Sequence, residues 1–253
     1  MASKAIGIDI GGTGIKGALV NIRTGELLSD RVRYETPAGG RPEEIAQVVK
    51  RMVNELPKIG SRTPVGICFP AVVQHGVTMS AANVSKEWIG LDADALFTRE
   101  LGRKVHVIND ADAAGVAELK FGAAKNRKGL VLMTTLGTGI GTALFINGHL
   151  VPNAELGHLE IGGVDYESKA SFAAKERENL DWSAWAERLQ TYYSRLEALL
   201  SPDLIIVGGG VSKNHAEFLP KLRLKAQIVP AQKRNSAGIL GAAWAAADRH
   251  IDD

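Results

Sequence analysis

Cysteine is almost absent from this 253-residue chain: Cys68 is its one thiol, set in the apolar run Val65-Gly66-Ile67-Cys68-Phe69. A single cysteine excludes an intrachain disulfide framework, and a thiol in such a run is expected to be buried and reduced. No uninterrupted stretch of about 18 apolar residues occurs, so hydropathy gives no membrane-spanning helix and no membrane partner is expected. Met1-Ala2-Ser3-Lys4 leads into a strand-like segment without the apolar core of a signal peptide, which points to an untargeted, cytoplasmic protein. Charge of one sign is scarce as well. Thirty Lys and Arg against 28 Asp and Glu leave a formal net charge of +2, too little to announce nucleic acid as a partner. Nor do aromatics, 6% of the chain, interleave with the basic clusters as a single-strand binder requires.

What is present is apolar residues, 45% of the chain, enough for a substantial core, and glycine gathered at the ends of strand-like runs. Residues 4–10 and 15–22 read as a hairpin across a glycine turn, and 27–34 as a third strand. Pro42-Glu43-Glu44 opens an amphipathic helix to about Leu56. A strand at 64–69, a hairpin around Gln74-His75-Gly76, a helix near 92–101, a strand at 104–109 and a helix at 111–121 follow. A second meander covers 129–150, succeeded by a long helix at 181–200, a buried strand at 203–207 and an alanine-rich helix at 235–249. Two meanders, each with its own glycine turn, form a weak repeat of about 125 residues and suggest two related α/β lobes around a cleft. The expected division is 1–109 and 110–253, with the C-terminal helix, 235–253, able to pack back on the first lobe.

Gly12-Thr13-Gly14-Ile15-Lys16-Gly17 matches the dinucleotide fingerprint G-x-G-x-x-G. The context contradicts that reading, because the fingerprint needs a helix after the turn and 15–22 reads as strand. A Walker A loop is absent. What remains is a hairpin turn in which Gly11 and Gly12 let backbone N–H groups approach phosphate, Thr13 donates a hydroxyl, Lys16 adds a charge and Asp9 can hold hydrated Mg²⁺. An ordinary tight turn is the plain alternative. Thr135, Gly137, Thr138 and Gly139 offer the same chemistry again. Gly209 and Gly210 end a buried strand before an expected helix. Asp110, after Asn109 at the end of a strand, reads either as a catalytic base or as a helix N-cap.

In this order, Asp9-Ile10-Gly11-Gly12-Thr13, Asn109-Asp110, Leu136-Gly137-Thr138-Gly139-Ile140-Gly141, Glu155-Leu156-Gly157-His158 and Val207-Gly208-Gly209-Gly210-Val211 resemble the ROK family of sugar kinases and repressors. Gly7-Ile8-Asp9-Ile10-Gly11-Gly12-Thr13-Gly14-Ile15-Lys16-Gly17-Ala18 and Ala82-Asn83-Val84-Ser85-Lys86-Glu87-Trp88-Ile89-Gly90 are most similar to its polyphosphate glucokinase and glucomannokinase branch. The resemblance implies the two-lobed, actin-like ATPase fold, a hexose in the cleft, and a Mg²⁺-bound donor, ATP or polyphosphate, beside the glycine turns. It makes Asp110 the base that accepts the proton of the sugar's 6-hydroxyl, and it makes Asn83, Asn109, Asp110, Glu155, His158 and Glu167 the sugar partners. Many members place a cysteine cluster after the Glu-x-Gly-His motif to hold zinc. Here 160–168 has no cysteine, so no structural zinc is expected and His158 is left for another role.

For polyphosphate, Lys213, Lys221, Arg223 and Lys225 offer a cationic track after the third glycine turn, although such runs are commonly solvated surface. A strictly ATP-dependent hexose or N-acetylhexosamine kinase is the alternative. A non-catalytic sugar-sensing regulator is disfavoured, since the family's repressors carry an N-terminal helix-turn-helix and the first strand here begins by about Ala5. No helix shows a clear exposed apolar stripe, which leaves monomer and homodimer both open.

Overall fold

The computed structural model describes residues 3–57, 60 and 62–248. They fall into two compact units: residues up to Ala117 together with those from Ser236 onward, and Glu118–Asn235. The elements of the first unit are β1 (Lys4–Ile10), β2 (Gly14–Asn21), β3 (Val32–Glu35), α1 (Pro42–Glu55), β4 (Val65–Phe69), the small hairpin β5 (Val73–Gln74) and β6 (Val77–Thr78), α2 (Ala93–Leu101), β7 (Val105–Asn109) and the start of α3 (Asp110–Phe121). The second contains β8 (Leu130–Leu136), β9 (Ile140–Ile146), β10 (His149–Val151), the hairpin β11 (Glu160–Ile161) and β12 (Val164–Asp165), α4 (Glu167–Ala170), α5 (Phe172–Arg177), α6 (Trp182–Leu200), β13 (Leu204–Gly208), α7 (His215–Phe218) and β14 (Gln227–Pro230). The chain then returns to the first unit as α8 (Ala237–Ala247).

The two central sheets share one plan. Their orders are β3-β2-β1-β4-β7 and β10-β9-β8-β13-β14. In each, the opening three strands form an antiparallel meander and the remaining two add in parallel. The repeat of glycine turns in the sequence is thus a repeat of whole sheets, and the parallel strands of each aim their carboxyl ends the same way.

Each unit has its own core. α1 begins with Pro42 at its first position and acids in its first turn, and it buries Ile45, Ala46, Val49 and Met52 along one face. The scarce aromatics do much of the filling. Trp88 lies between Phe69 and Phe97, with centroids 4.3 and 5.9 Å away, and its buried N–H donates to the Gly40 carbonyl at 2.9 Å. In the second unit Trp185 meets Phe218 edge-on at 4.9 Å, and α6 buries Trp185, Leu189, Tyr192, Tyr193 and Leu196 at helical spacing. α8 is buried nearly all round because glycines open its neighbours. A Cβ at Gly7 of β1 or Gly66 of β4 would sit 1.9 or 1.8 Å from the Ile239 or Ala242 carbonyl oxygen, and one at Gly241 1.7 Å from that of Ala113.

Some sequence expectations need correction. The strand expected at 27–34 forms only at Val32–Glu35, with one isolated bridge from Leu27 to Val20. The Ser29 hydroxyl accepts the Leu19 N–H at 3.0 Å, so a side chain takes the place of a ladder carbonyl there. After Gly208 comes a 3-10 stretch, Gly210–Asn214, and only then the four-residue α7, rather than a helix starting at the turn. The division between the units falls after Ala117, inside α3, not between Asn109 and Asp110, because the first turns of α3 pack on α8 at Gly241. Arg249 and residues 250–253 of the expected C-terminal helix lie outside the described residues.

Candidate active site

In the first unit the candidate residues gather at the carboxyl ends of β1, β4 and β7. The parallel register pairs Asp9 with Cys68 and Cys68 with Ile108, so Asp9 and the Asn109-Asp110 pair lie on strands two spacings apart, about 10 Å. The turn Gly11–Gly14 is closed by the Gly11 N–H on the Gly14 carbonyl at 3.0 Å, and Gly12 and Thr13 are exposed. Lys16, opposite Asp9 in the hairpin, brings Nζ to 4.0 Å from its carboxylate. Asn83 stands against this turn: a Cβ on Gly12 would lie 2.9 Å from the Asn83 Cβ. Asn83 adopts φ of 60°, a left-handed conformation that asparagine tolerates better than most residues.

Asn109, rather than Asp110, occupies the cap position of α3. Its carboxamide oxygen accepts the N–H groups of Ala111 at 2.8 Å and Asp112 at 3.0 Å, and its NH₂ donates to the Ala71 carbonyl at 3.0 Å. Asn109 therefore caps α3 and fastens it to the loop after β4, a role its sequence did not announce. Asp110 is exposed at the first position of the helix, where its Oδ1 accepts the Ala111 N–H at 2.8 Å in common with Asn109. Asp112 is buried two residues on, in a structural position. Cys68, fully buried, gives its S–H to Asp9 Oδ1 at 3.4 Å. Burial first, then the charges of Asp9 and Asp110, push its thiol pKa well up, so it stays protonated and both carboxylates are near it.

In the second unit, Glu155 precedes and His158 ends a 3-10 turn, Leu156–His158. Three anchors set it. The Thr142 hydroxyl donates to the Ala154 carbonyl and accepts the Leu156 N–H at 3.0 Å, and the Tyr192 hydroxyl of α6 donates to the Leu156 carbonyl at 3.0 Å. Gly157 allows the close approach to β9, since a Cβ there would sit 1.9 Å from the Ile140 carbonyl oxygen. Glu167 opens α4 and reaches the glycine turn: its Oε2 accepts the Ile140 N–H at 2.7 Å, over the space that a Cβ on Gly139 would occupy. Sugar and phosphate candidates, Glu167 and Gly137–Gly139, are thereby joined.

Partial desolvation raises the Glu155 carboxyl above the usual range, with His158 opposing and Glu167 adding to the rise. His158 is raised chiefly by its hydrogen bond to Asp165, against desolvation, with the charges of Glu167, Asp165 and Glu155 assisting. Asp165 was not among the sequence candidates. The only available signal was an acid two residues before Glu167.

Thr135, Gly137, Thr138 and Gly139 line the β8–β9 turn, where the Gly137 N–H bonds the Gly139 carbonyl at 2.9 Å. Gly209, at φ of 83°, abuts the same turn: a Cβ on it would be 2.2 Å from the Leu136 carbonyl oxygen. The second and third glycine turns thus form one surface, with Gly210 exposed beside it. Of the expected cationic track, all four side chains are exposed, but only Lys221 and Arg223 line a common groove, of about 470 Å³, with Ser183, Ala186, Glu187 and Gln190. Lys213 lies in the 3-10 stretch after Gly210, and Lys225 lies beyond the groove lining. Among the described residues no group of three or more His, Cys, Asp or Glu side chains is arranged to hold a metal ion. No helix among them is long and apolar enough to cross a membrane.

The model of the ROK family matches residues 5–174. Polyphosphate glucokinase of Mycobacterium tuberculosis is 45% identical over 94% of this chain and 89% of that protein. Its Mycobacterium leprae counterpart is 40% identical over 96% of the chain and 74% of that protein. Among solved structures, the inorganic polyphosphate/ATP-glucomannokinase of Arthrobacter sp. strain KM superposes with a TM-score of 0.92 at 54% identity, covering 98% of this chain and all of that one. A Streptomyces griseus ROK glucokinase in complex with glucose and AMPPNP superposes with a TM-score of 0.81 at 25% identity over 96% of this chain and 99% of that one.

Proposed function

Because the chain belongs to the ROK family and has its two-domain, actin-like sugar-kinase fold, we propose that it transfers the terminal phosphoryl group of polyphosphate or ATP to the 6-hydroxyl of glucose, accepting mannose as well. The observation that carries this reading is the placement of Asp110. Its neighbour Asn109 takes over helix capping, and Asp110 is presented at the carboxyl end of β7, in the same sheet whose β1 ends in Asp9 and the glycine turn.

Phosphoryl transfer needs a base for the attacking hydroxyl, positioning of the sugar, and charge stabilisation around the transferred group. Asp110 accepts the hydroxyl proton. Asn83, Glu155, His158 and Glu167 hold the sugar hydroxyls, each of which needs a partner when water is excluded. Asn109 acts mainly by fixing Asp110, with one N–H left for sugar. The backbone N–H groups of Gly11, Gly12, Thr13, Gly137, Thr138, Gly139, Gly209 and Gly210, the Thr13 and Thr135 hydroxyls and Lys16 serve the donor phosphates. Asp9, with a side chain 26% exposed beside the turn, suits a water-mediated contact to hydrated Mg²⁺. When bound, Mg²⁺ neutralises charge on the phosphates. We take the setting to be cytoplasmic, with neither nucleic acid nor membrane as a partner.

A coupled assay with glucose or mannose, each donor, and Mg²⁺ present or chelated tests the proposal. Sugar phosphate should form with at least one donor and vanish on chelation; no product with either donor refutes it. The donor question has its own test. Arg223 is anchored through its backbone, its N–H on Gln190 Oε1 at 2.6 Å and its carbonyl on Gln190 Nε2 at 3.0 Å, so its side chain can be changed without loosening the segment. The double change Lys221→Glu with Arg223→Glu should lower kcat/KM for polyphosphate about three- to tenfold and leave ATP nearly untouched. Equal losses for both donors would remove these residues from the track.

A further inference from the structure

The Asp165 side chain touches both halves of the sugar-binding group in the second unit. Its Oδ2 lies 2.8 Å from His158 Nδ1, and its Oδ1 accepts the Glu167 N–H at 3.1 Å. Its own carbonyl accepts the Ser168 hydroxyl at 2.7 Å, which pins the residue from below. The β11–β12 hairpin delivers it: Glu160 pairs with Asp165 and Ile161 with Val164, across Gly162 and Gly163 in left-handed conformations of 64° and 77°. A two-residue hairpin brings the chain back beside His158, so a residue seven positions away in sequence becomes its ring partner.

We propose that Asp165 is a positioning residue for sugar recognition, holding the His158 ring by Nδ1 so that Nε2 donates to a sugar hydroxyl while Glu155 and Glu167 accept from the same sugar. This rests on the reading of His158 as a sugar partner. The chemical logic is complementarity. Carboxylates only accept, and a hydroxyl that donates to one still has lone pairs for a donor, which Nε2–H supplies. A ring free to rotate would not hold that N–H at a fixed distance and angle from the sugar hydroxyl.

The charged groups acting on His158 are Glu155 on its own turn, Asp165 of β12 and Glu167 of α4; from α6 the Tyr192 hydroxyl, which burial keeps neutral, holds the Leu156 carbonyl of the same turn. The three acids favour the imidazolium and hence the Nε2–H donor. Its charge is present below the folded-state pKa and lost as pH rises through it, and replacing Asp165 moves that loss to lower pH. At 55% and 49% exposure the His158–Asp165 pair adds little to stability, so the fold does not depend on it.

Asp165→Asn keeps an acceptor for the Glu167 N–H and removes the charge from the ring. It should raise the glucose KM about tenfold, the loss expected of a charge-assisted hydrogen bond, with kcat within about threefold. The rise in KM with pH should begin at lower pH than in the parent. His158→Gln should raise KM by a similar factor, and the double variant should be no worse than either single one. Three results overturn the inference while sparing His158 as a sugar partner: a parental KM in Asp165→Asn when His158→Gln is impaired, an unmoved pH profile, or multiplying effects in the double variant. A parental KM in His158→Gln overturns both. Nitrogen NMR of the unaltered protein above the His158 pKa adds a check without substitution: the proton should reside on Nδ1, and its residence on Nε2 would refute the inference.

Discussion

Asp110→Asn is expected to lower kcat about a thousandfold, in the range associated with loss of a general base, while glucose affinity stays within about threefold. In barrier terms this is about 4 kcal/mol. The substitution is a clean test for structural reasons. Asn retains an oxygen to accept the Ala111 N–H that Asp110 Oδ1 accepts at 2.8 Å, and Asn109 continues to hold the first turn of α3 through Ala111 and Asp112. Asp110 is exposed, so the carboxamide stays in contact with water. Single-turnover phosphorylation together with calorimetric glucose binding separates chemistry from affinity. A variant that keeps most of its kcat takes Asp110 out of the base role.

The second large effect is on stability. Gly66→Ala places a Cβ 1.8 Å from the Ala242 carbonyl oxygen and 2.4 Å from its carbon. Neither is the movable end of a side chain, so α8 as a whole has to retreat from β4. Gly7 and Gly241 hold the same helix equally close to β1 and α3, which leaves no direction of easy relief. Overpacking of this kind costs about 2–4 kcal/mol, and for a chain of this size Tm should fall by about 5–12 °C. Calorimetric scans would show it, and a Tm within about 2 °C of the parent would mean that α8 packs less rigidly than the glycines indicate.

Much of the candidate site was legible because its chemistry is carried by short local patterns. A glycine-rich hairpin such as 11–14, or the turn at 137–139, writes its backbone requirement directly into sequence, since few other residues fit. Asn109-Asp110 at a strand-to-helix junction is equally local. Two roles were hidden for a common reason. Asn109 as the cap depends on the loop at Ala71, and Asp165 as the ring partner of His158 depends on a hairpin closing between them. Each is an ordinary polar residue whose function arises from what lies across space. The break in the third strand at Ser29 was hidden likewise, because a hydroxyl replacing a ladder carbonyl leaves the apolar alternation unchanged.

By itself, then, the sequence determined most of the element types, the repeated meanders and the family. These follow from periodicity and turn chemistry, which act over a few residues, and from motifs that keep their order along the chain. Only the tertiary structure decided that α8 and the first turns of α3 belong to the opening unit, that the second and third glycine turns form one surface, and that Lys221 and Arg223 share a groove without Lys213 or Lys225. Those outcomes rest on close backbone approaches and on hydrogen bonds between residues far apart in sequence, which no local pattern encodes.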